Sequence, residues 1–168
     1  MTRHYDDPLA DDNVHVRVYD SADAPTLSAA RRTEPKREYH AHNTTRASYH
    51  ETIIGLLGGE AGDLEADVLV LGDDDSDTAQ IPDGDPLGNE TFRTSVTDPR
   101  TGGQTFRTTT FIDSTEANGQ SYFEAALVAE TGSGDLPINR ITLADPLLDP
   151  KEQGETVTID IDITQEDG

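Results

Sequence analysis

The sequence predicts a mainly β protein: a small antiparallel β-sandwich with one N-terminal helix and an extended N-terminal arm. Three observations predict it. Short stretches alternate apolar and polar residues, as in VHVRVY (residues 14–19) and TVTIDIDIT (residues 156–164), and a period of two lines up one buried row of side chains. These stretches are rich in Val, Ile, Thr and Phe, which suit a pleated surface. Turn chemistry recurs at short intervals, in DPRTGG, TEANG and TGSGD, as antiparallel neighbours joined by tight connections require.

The elements follow in order. In VHVRVY, Val14, Val16 and Val18 face one way and His15, Arg17 and Tyr19 the other. Residues 21–37 read as a loop, broken at Pro25 and Pro35. TTRASYHETIIGLLGG (residues 44–59) reads as the helix. Tyr49, Ile53, Leu56 and Leu57 share one face, and Gly58-Gly59 is a natural stop. ADVLVLG (residues 66–72) is a buried strand. TFRTSVT (residues 91–97) and QTFRTTTFID (residues 104–113) are expected to form a hairpin closed by DPRTGG. YFEAALVAE (residues 122–130) suits helix or strand by propensity, and the turns on either side favour strand. PINRITLA (residues 137–144) is the next strand, and residues 144–155 form a loop with two prolines. In the last strand Val157, Ile159, Ile161 and Ile163 oppose Thr158, Asp160 and Asp162.

The chain has 168 residues, enough for one domain plus an arm. The expected division is a docking arm over residues 1–48 and a sandwich over residues 49–168. Twelve Lys+Arg stand against 34 Asp+Glu, a net charge of -22, and the only lysines are Lys36 and Lys151. Hydrophobic residues are 33% of the chain, a composition that a disordered chain would share, but the strand periodicity argues for a fold. Two carboxylates about 6 Å apart repel by roughly 0.7 kcal/mol in salt-free water. At 1 M salt the Debye length falls to about 3 Å and most of that cost disappears. Such a surface suits multimolar salt and implies an extreme halophile, a haloarchaeon or a virus of one.

Nucleic acid is not an expected partner, since its phosphates would be repelled. No cysteine is present, which excludes disulfides and thiolate metal sites. MTRHYDDPLADD has no apolar signal core, and no run approaches a membrane span, so neither a standard cleaved signal nor a membrane partner is expected.

Charge divides the chain. Residues 1–50 hold 7 basic and 8 acidic residues and all 5 histidines, whereas residues 51–168 hold 5 basic and 26 acidic. Arg31, Arg32, Lys36 and Arg37 make one stretch of the first part basic. This segment reads as an arm docking on an acidic neighbouring subunit or as a flexible tail. The docking reading expects that deleting residues 1–48 leaves the sandwich folded and abolishes assembly.

The loop GDDDSDTAQIPDGDPLGNETFR (residues 72–93) spaces Asp73, Asp75 and Asp77 as calcium ligands are spaced. Thr78 occupies the EF-hand glycine position and Gly84 the closing glutamate position, so that motif fails twice. A solvated acidic loop is the favoured reading, and a looser cation site is the alternative. His40, His42 and His50 lack a carboxylate at the spacing of a zinc helix and read as loop or interface histidines. TGSGD lacks the nucleophile-elbow spacing, and the glycine pairs make no phosphate loop. Asn43 and Asn89 open N-x-T triplets, relevant only where a glycosylation system is met. No catalytic residue, cofactor or metal is expected.

One larger pattern spans residues 49–164. A helix leads to a strand ending VLVLG, then a loop with Asp77-Thr78-Ala79 and Leu87, then Glu90 and Arg93. Glu116-Ala117-Asn118-Gly119 follows, then a strand with Glu124 and Leu127. This resembles a recurring structural module of tailed-virus virion proteins, including domains at the base of tail-collar fibres. Ala126 stands where that family usually has glycine, and Lys151 corresponds loosely to a lysine before its last strand. The resemblance implies a virion building block rather than an enzyme, a homo-oligomer whose partners are other virion structural proteins. It further implies an adaptor or short projection at the tail baseplate or fibre base, with a capsid turret or decoration as the alternative. Glu90, Arg93 and Glu124 would then pair inside the sandwich or across subunits. A reading of another class is a halophilic, cell-encoded module that binds carbohydrate or protein.

Overall fold

A computed structural model of the chain describes residues 14–41, 44–45, 58, 65–75, 85–102, 105–132, 134–142, 146 and 148–164. These form two antiparallel sheets. The strands are β1 (Val14–Asp20), β2 (Arg37–Ala41), β3 (Thr44–Thr45), β4 (Val68–Gly72), β5 (Glu90–Ser95), β6 (Asp98–Gly102), β7 (Thr105–Ile112), β8 (Glu124–Thr131), β9 (Gly134–Pro137), β10 (Asn139–Thr142) and β11 (Glu155–Thr164). The first sheet runs β2-β1-β11-β7-β6; the second runs β3-β10-β8-β4-β5, with β9 also on β8. The mainly β, sandwich-like fold expected from the alternating stretches is the one observed.

The alternation explains how the sheets meet. Val14, Val16 and Val18 of β1 lie beside Val157, Ile159 and Ile161 of β11, all fully buried. They share one core with Leu69 and Leu71 of β4, Ala125, Leu127 and Ala129 of β8, and Ile141 of β10. On β7, Thr110 and Thr108 pair across from Ile159 and Ile161 and so face the same core; their hydroxyls are buried with no hydrogen-bond partner among the described residues. The other face of β4 and β8 is also buried, through Val68, Val70, Ala126 and Val128 with Leu87. That is why VLVLG and AALVA read as continuous apolar runs rather than alternating ones.

The chain changes sheets at defined points. Val96 N–H donates to Asp67 O beside β4, whereas Thr97 N–H donates to Thr109 O on β7. Opposite β8, the return chain carries one residue more between Pro137 and Ile141 than β8 carries between Ala125 and Val128. This is a bulge, and Asn139 Oδ1 fills the gap by accepting from Leu127 N–H at 2.7 Å.

Three expectations are corrected. Residues 14–41 are not an arm outside the sandwich, because β1 lies between β2 and β11 within the first sheet and carries three core valines. The expected hairpin between residues 91–97 and 104–113 does not form. The segment expected to turn is strand β6 paired with β7, while β5 belongs to the other sheet. Thr44–Thr45 pairs with β10 as a strand rather than starting a helix; apart from Gly58, the rest of the expected helix lies outside the described residues. A helical turn stands instead at α1 (Leu27–Ala30), inside the expected loop, where Thr26 caps it by accepting from Ala29 N–H.

Candidate functional site

The acidic loop is fastened to a buried carboxylate. Glu124, the first residue of β8, is fully buried. Its Oε2 accepts from Arg140 Nη2 at 2.6 Å and from Gly88 N–H at 2.7 Å, and its Oε1 accepts from Asn89 N–H at 3.1 Å and Asp74 N–H at 3.3 Å. Asp74 opens the loop and Gly88 and Asn89 close it, so one side chain holds both ends. Gly72 explains itself here: a Cβ at this position would lie 2.5 Å from Glu124 Oε1 and 2.6 Å from Asn89 O. A carboxylate stripped of water is tolerable only with this density of donors. Arg140 is itself only 2% exposed, and nothing in the spacing of the sequence ties it to Glu124.

Asp73 belongs to the same arrangement. Its carboxylate accepts from Asn89 Nδ2 at 2.6 Å and Gln120 Nε2 at 3.1 Å, and Gln120 also donates to Thr91 Oγ1 at 3.0 Å. Asp73 therefore ties the loop to the turn before β8. Asp75 is exposed, and Asp77 lies outside the described residues. Among the described residues no group of three or more His, Asp or Glu side chains is placed to hold a metal ion.

The TEANG turn is held by the other unusual charge. Lys151 is fully buried, and its Nζ donates to Glu116 O at 2.9 Å and Asn118 Oδ1 at 2.6 Å. Burial pushes the Lys151 ammonium below its ordinary pKa, against the pull of Asp113, Glu155 and Glu116. Ala117 and Gly119 both have positive φ, 54° and 78°, the left-handed conformation that closes the turn.

The expected interface residues fall into five separate cases. Lys36 and Arg37 bind one carboxylate, Glu155, at 3.1 and 2.6 Å. Arg31 pairs with Asp98, which Arg31 and then Arg100 hold below the usual carboxylate range. Arg32 is exposed and forms no ion pair among the described residues. Glu90 and Arg93 do pair, through two N–H bonds at 2.7 and 2.9 Å, and Arg93 also reaches Glu130 and Asp135. Those hydrogen bonds, from Glu90 first and then Asp135, hold the guanidinium above its already high pKa. Glu124 joins neither Glu90 nor Arg93; it pairs with Arg140 inside the fold. The basic segment thus meets acidic residues of its own chain.

A further charged network covers the outer face of the first sheet. Arg17 Nε donates to Glu38 at 2.9 Å and its Nη1 to Asp160 at 2.6 Å. The rings of His15 and His40 meet edge to face at 4.4 Å between centroids. His42 and His50 lie outside the described residues. Between this face and α1 is a cavity of about 270 Å³, lined in part by Arg17, Tyr19, Thr158 and Asp160. Nothing in the sequence marks this cavity, because α1 and its approach read as plain loop. No helix among the described residues is long and apolar enough to cross a membrane.

No protein-family model, curated protein or solved structure matches this chain.

Proposed function

We propose that the chain is a non-enzymatic structural component of a haloarchaeal tailed-virus virion. It serves as an adaptor or short projection at the tail baseplate or fibre base, with a capsid turret or decoration as the alternative position. The observation that carries this reading is what the residues of the virion-module resemblance do in the fold. Leu87 is buried under the second sheet, Glu124 fastens the acidic loop, and Asn118 and Lys151 lock the TEANG turn. Residues spent on fixing loops in place suit a building block that must present a rigid surface to neighbours. The carboxylate-rich surface suits the same particle in concentrated salt.

The test is the absolute mass of the purified protein in molar KCl, by light scattering after size exclusion. A trimer or hexamer supports the tail position, and a pentamer supports a capsid vertex. A monomer over the whole accessible concentration range overturns self-assembly and favours the cell-encoded binding module instead.

A further inference from the structure

From the cavity beneath α1 we infer a binding site for a neutral, polyhydroxylated ligand of about monosaccharide size. The volume, about 270 Å³, lies just below the roughly 300–1,000 Å³ usual for drug-sized ligands. Its floor is the outer face of the first sheet, and its wall is the apolar side of the 21–36 segment: Leu27, Ala30 and Pro35. A sugar ring has the same division, with hydroxyls at its edge and C–H groups on its face.

Two observations point to a ligand. Tyr19 and Thr158 are each only 4% exposed, yet their hydroxyls lie 3.5 Å apart, beyond the roughly 2.5–3.0 Å of a good O–H···O bond. Neither has a closer partner among the described residues. Buried hydroxyls left this way cost free energy unless another group completes them, and both line the cavity. Beside them Arg17 has five N–H donors, and among the described residues its engaged partners are Glu38, Asp160 and, at 3.4 Å, His15 Nδ1. Asp160 accepts from Arg17 and from Thr109 Oγ1 and retains lone pairs.

The charges choose the class. Arg17 and Asp160 are already paired, so the floor presents a donor and an acceptor side by side with little net charge. A hydroxyl accepts from one and donates to the other. A carboxylate or phosphate would face Asp160 and a chain of net charge -22; an ammonium would face Arg17 and Arg31. The site is independent of the virion reading, since a viral projection and a cell-encoded module would use it alike.

The test is titration of the full chain in molar KCl with glucose, galactose, mannose and myo-inositol, followed by calorimetry and ligand-observed NMR. Glucuronate and glucosamine are the charged controls, and methyl glycosides distinguish a glycan terminus from a free sugar. Saturable binding of at least one neutral compound is expected, weakened at least tenfold by Tyr19→Phe and by Thr158→Val without loss of melting temperature. Glycoside binding equal to that of the free sugar assigns the site to glycan ends; binding of the free form alone assigns it to the small molecule. No saturable binding of any neutral compound overturns the site. So does equal binding of the charged controls, or affinity that neither variant changes.

Discussion

At Glu124 a carboxylate sits in full burial because four donors, three of them backbone N–H groups, converge on it. Removing one partner of a buried ion pair leaves the other charge uncompensated, which costs about 3–5 kcal/mol. Glu124→Gln is therefore expected to destabilise the fold by about that amount and to make residues 73–89 the first site of proteolysis. Replacing both partners, Glu124→Gln with Arg140→Met, is expected to recover part of the loss. Denaturant melts of the three variants check this, and an unchanged single variant would show that the latch carries no load. Glu155 makes the complementary case with pH. Burial alone would raise its pKa, but the Glu152 N–H bond and the charges of Lys36 and Arg37 outweigh burial and hold it below the ordinary 4.5. A carboxylate with a depressed folded pKa gives its full contribution above the unfolded value and loses it as pH falls through the folded one. The melting-temperature gap between the wild type and Glu155→Gln should be widest near pH 7 and close well below pH 4.5. A gap that persists at low pH would mean that packing, not charge, is lost.

At the scale of elements, β1 decides what the N-terminal segment is. Its three buried valines are each worth about 1.5–3 kcal/mol, against a net stability of about 5–15 kcal/mol for a typical domain. A chain that begins after Ala41 is expected to show no cooperative thermal transition; a sharp melt in that truncation would restore the view of a dispensable arm. In the same sheet, on the far side of β11, β7 supplies the opposite prediction. Thr108 and Thr110 bury hydroxyls that have no partner among the described residues, so Thr108→Val and Thr110→Val should each stabilise the fold by about 1 kcal/mol in urea melts. Legibility of these elements followed burial. β1 and β11 were legible because one face of each carries the aliphatic side chains of the core and the other carries mostly polar ones, which writes a period of two into the sequence. β2 was not, because four of its five residues are only half-buried and REYHA carries no alternation. β6 contains Pro99 and Gly102, tolerated on an exposed sheet edge but read locally as a turn. Glu124 opens the apolar run AALVA and Arg140 stands between Ile138 and Ile141, placements that signal a buried partner. Only the pairing of β8 with β10 brings the two together.

On the scale of the whole molecule, acidic residues outnumber basic ones by 34 to 12, an excess that ion pairing does not balance. Arg17, Arg31, Lys36, Arg37, Arg93, Arg100, Arg107 and Arg140 are all engaged by Asp or Glu, and with 34 acidic residues against 12 basic the remainder repel one another. Salt acts on that repulsion and not on the buried latch. Between 0.1 and 1 M the Debye length falls from about 10 Å to about 3 Å, so the melting temperature is expected to climb steeply over this range in KCl and more slowly above it. Exposed Glu65 and Asp85 are positions where charge reversal should shorten the climb: Glu65→Lys with Asp85→Lys should melt higher than the wild type at 0.1 M and converge with it at high salt. The deficit of Glu124→Gln should be the same at both ends of the titration, since its lost partner is out of reach of solvent ions. A wild-type melting temperature that stays flat from 0.1 to 3 M KCl would refute the electrostatic reading of the surface, and with it the inference of a salt-loving source.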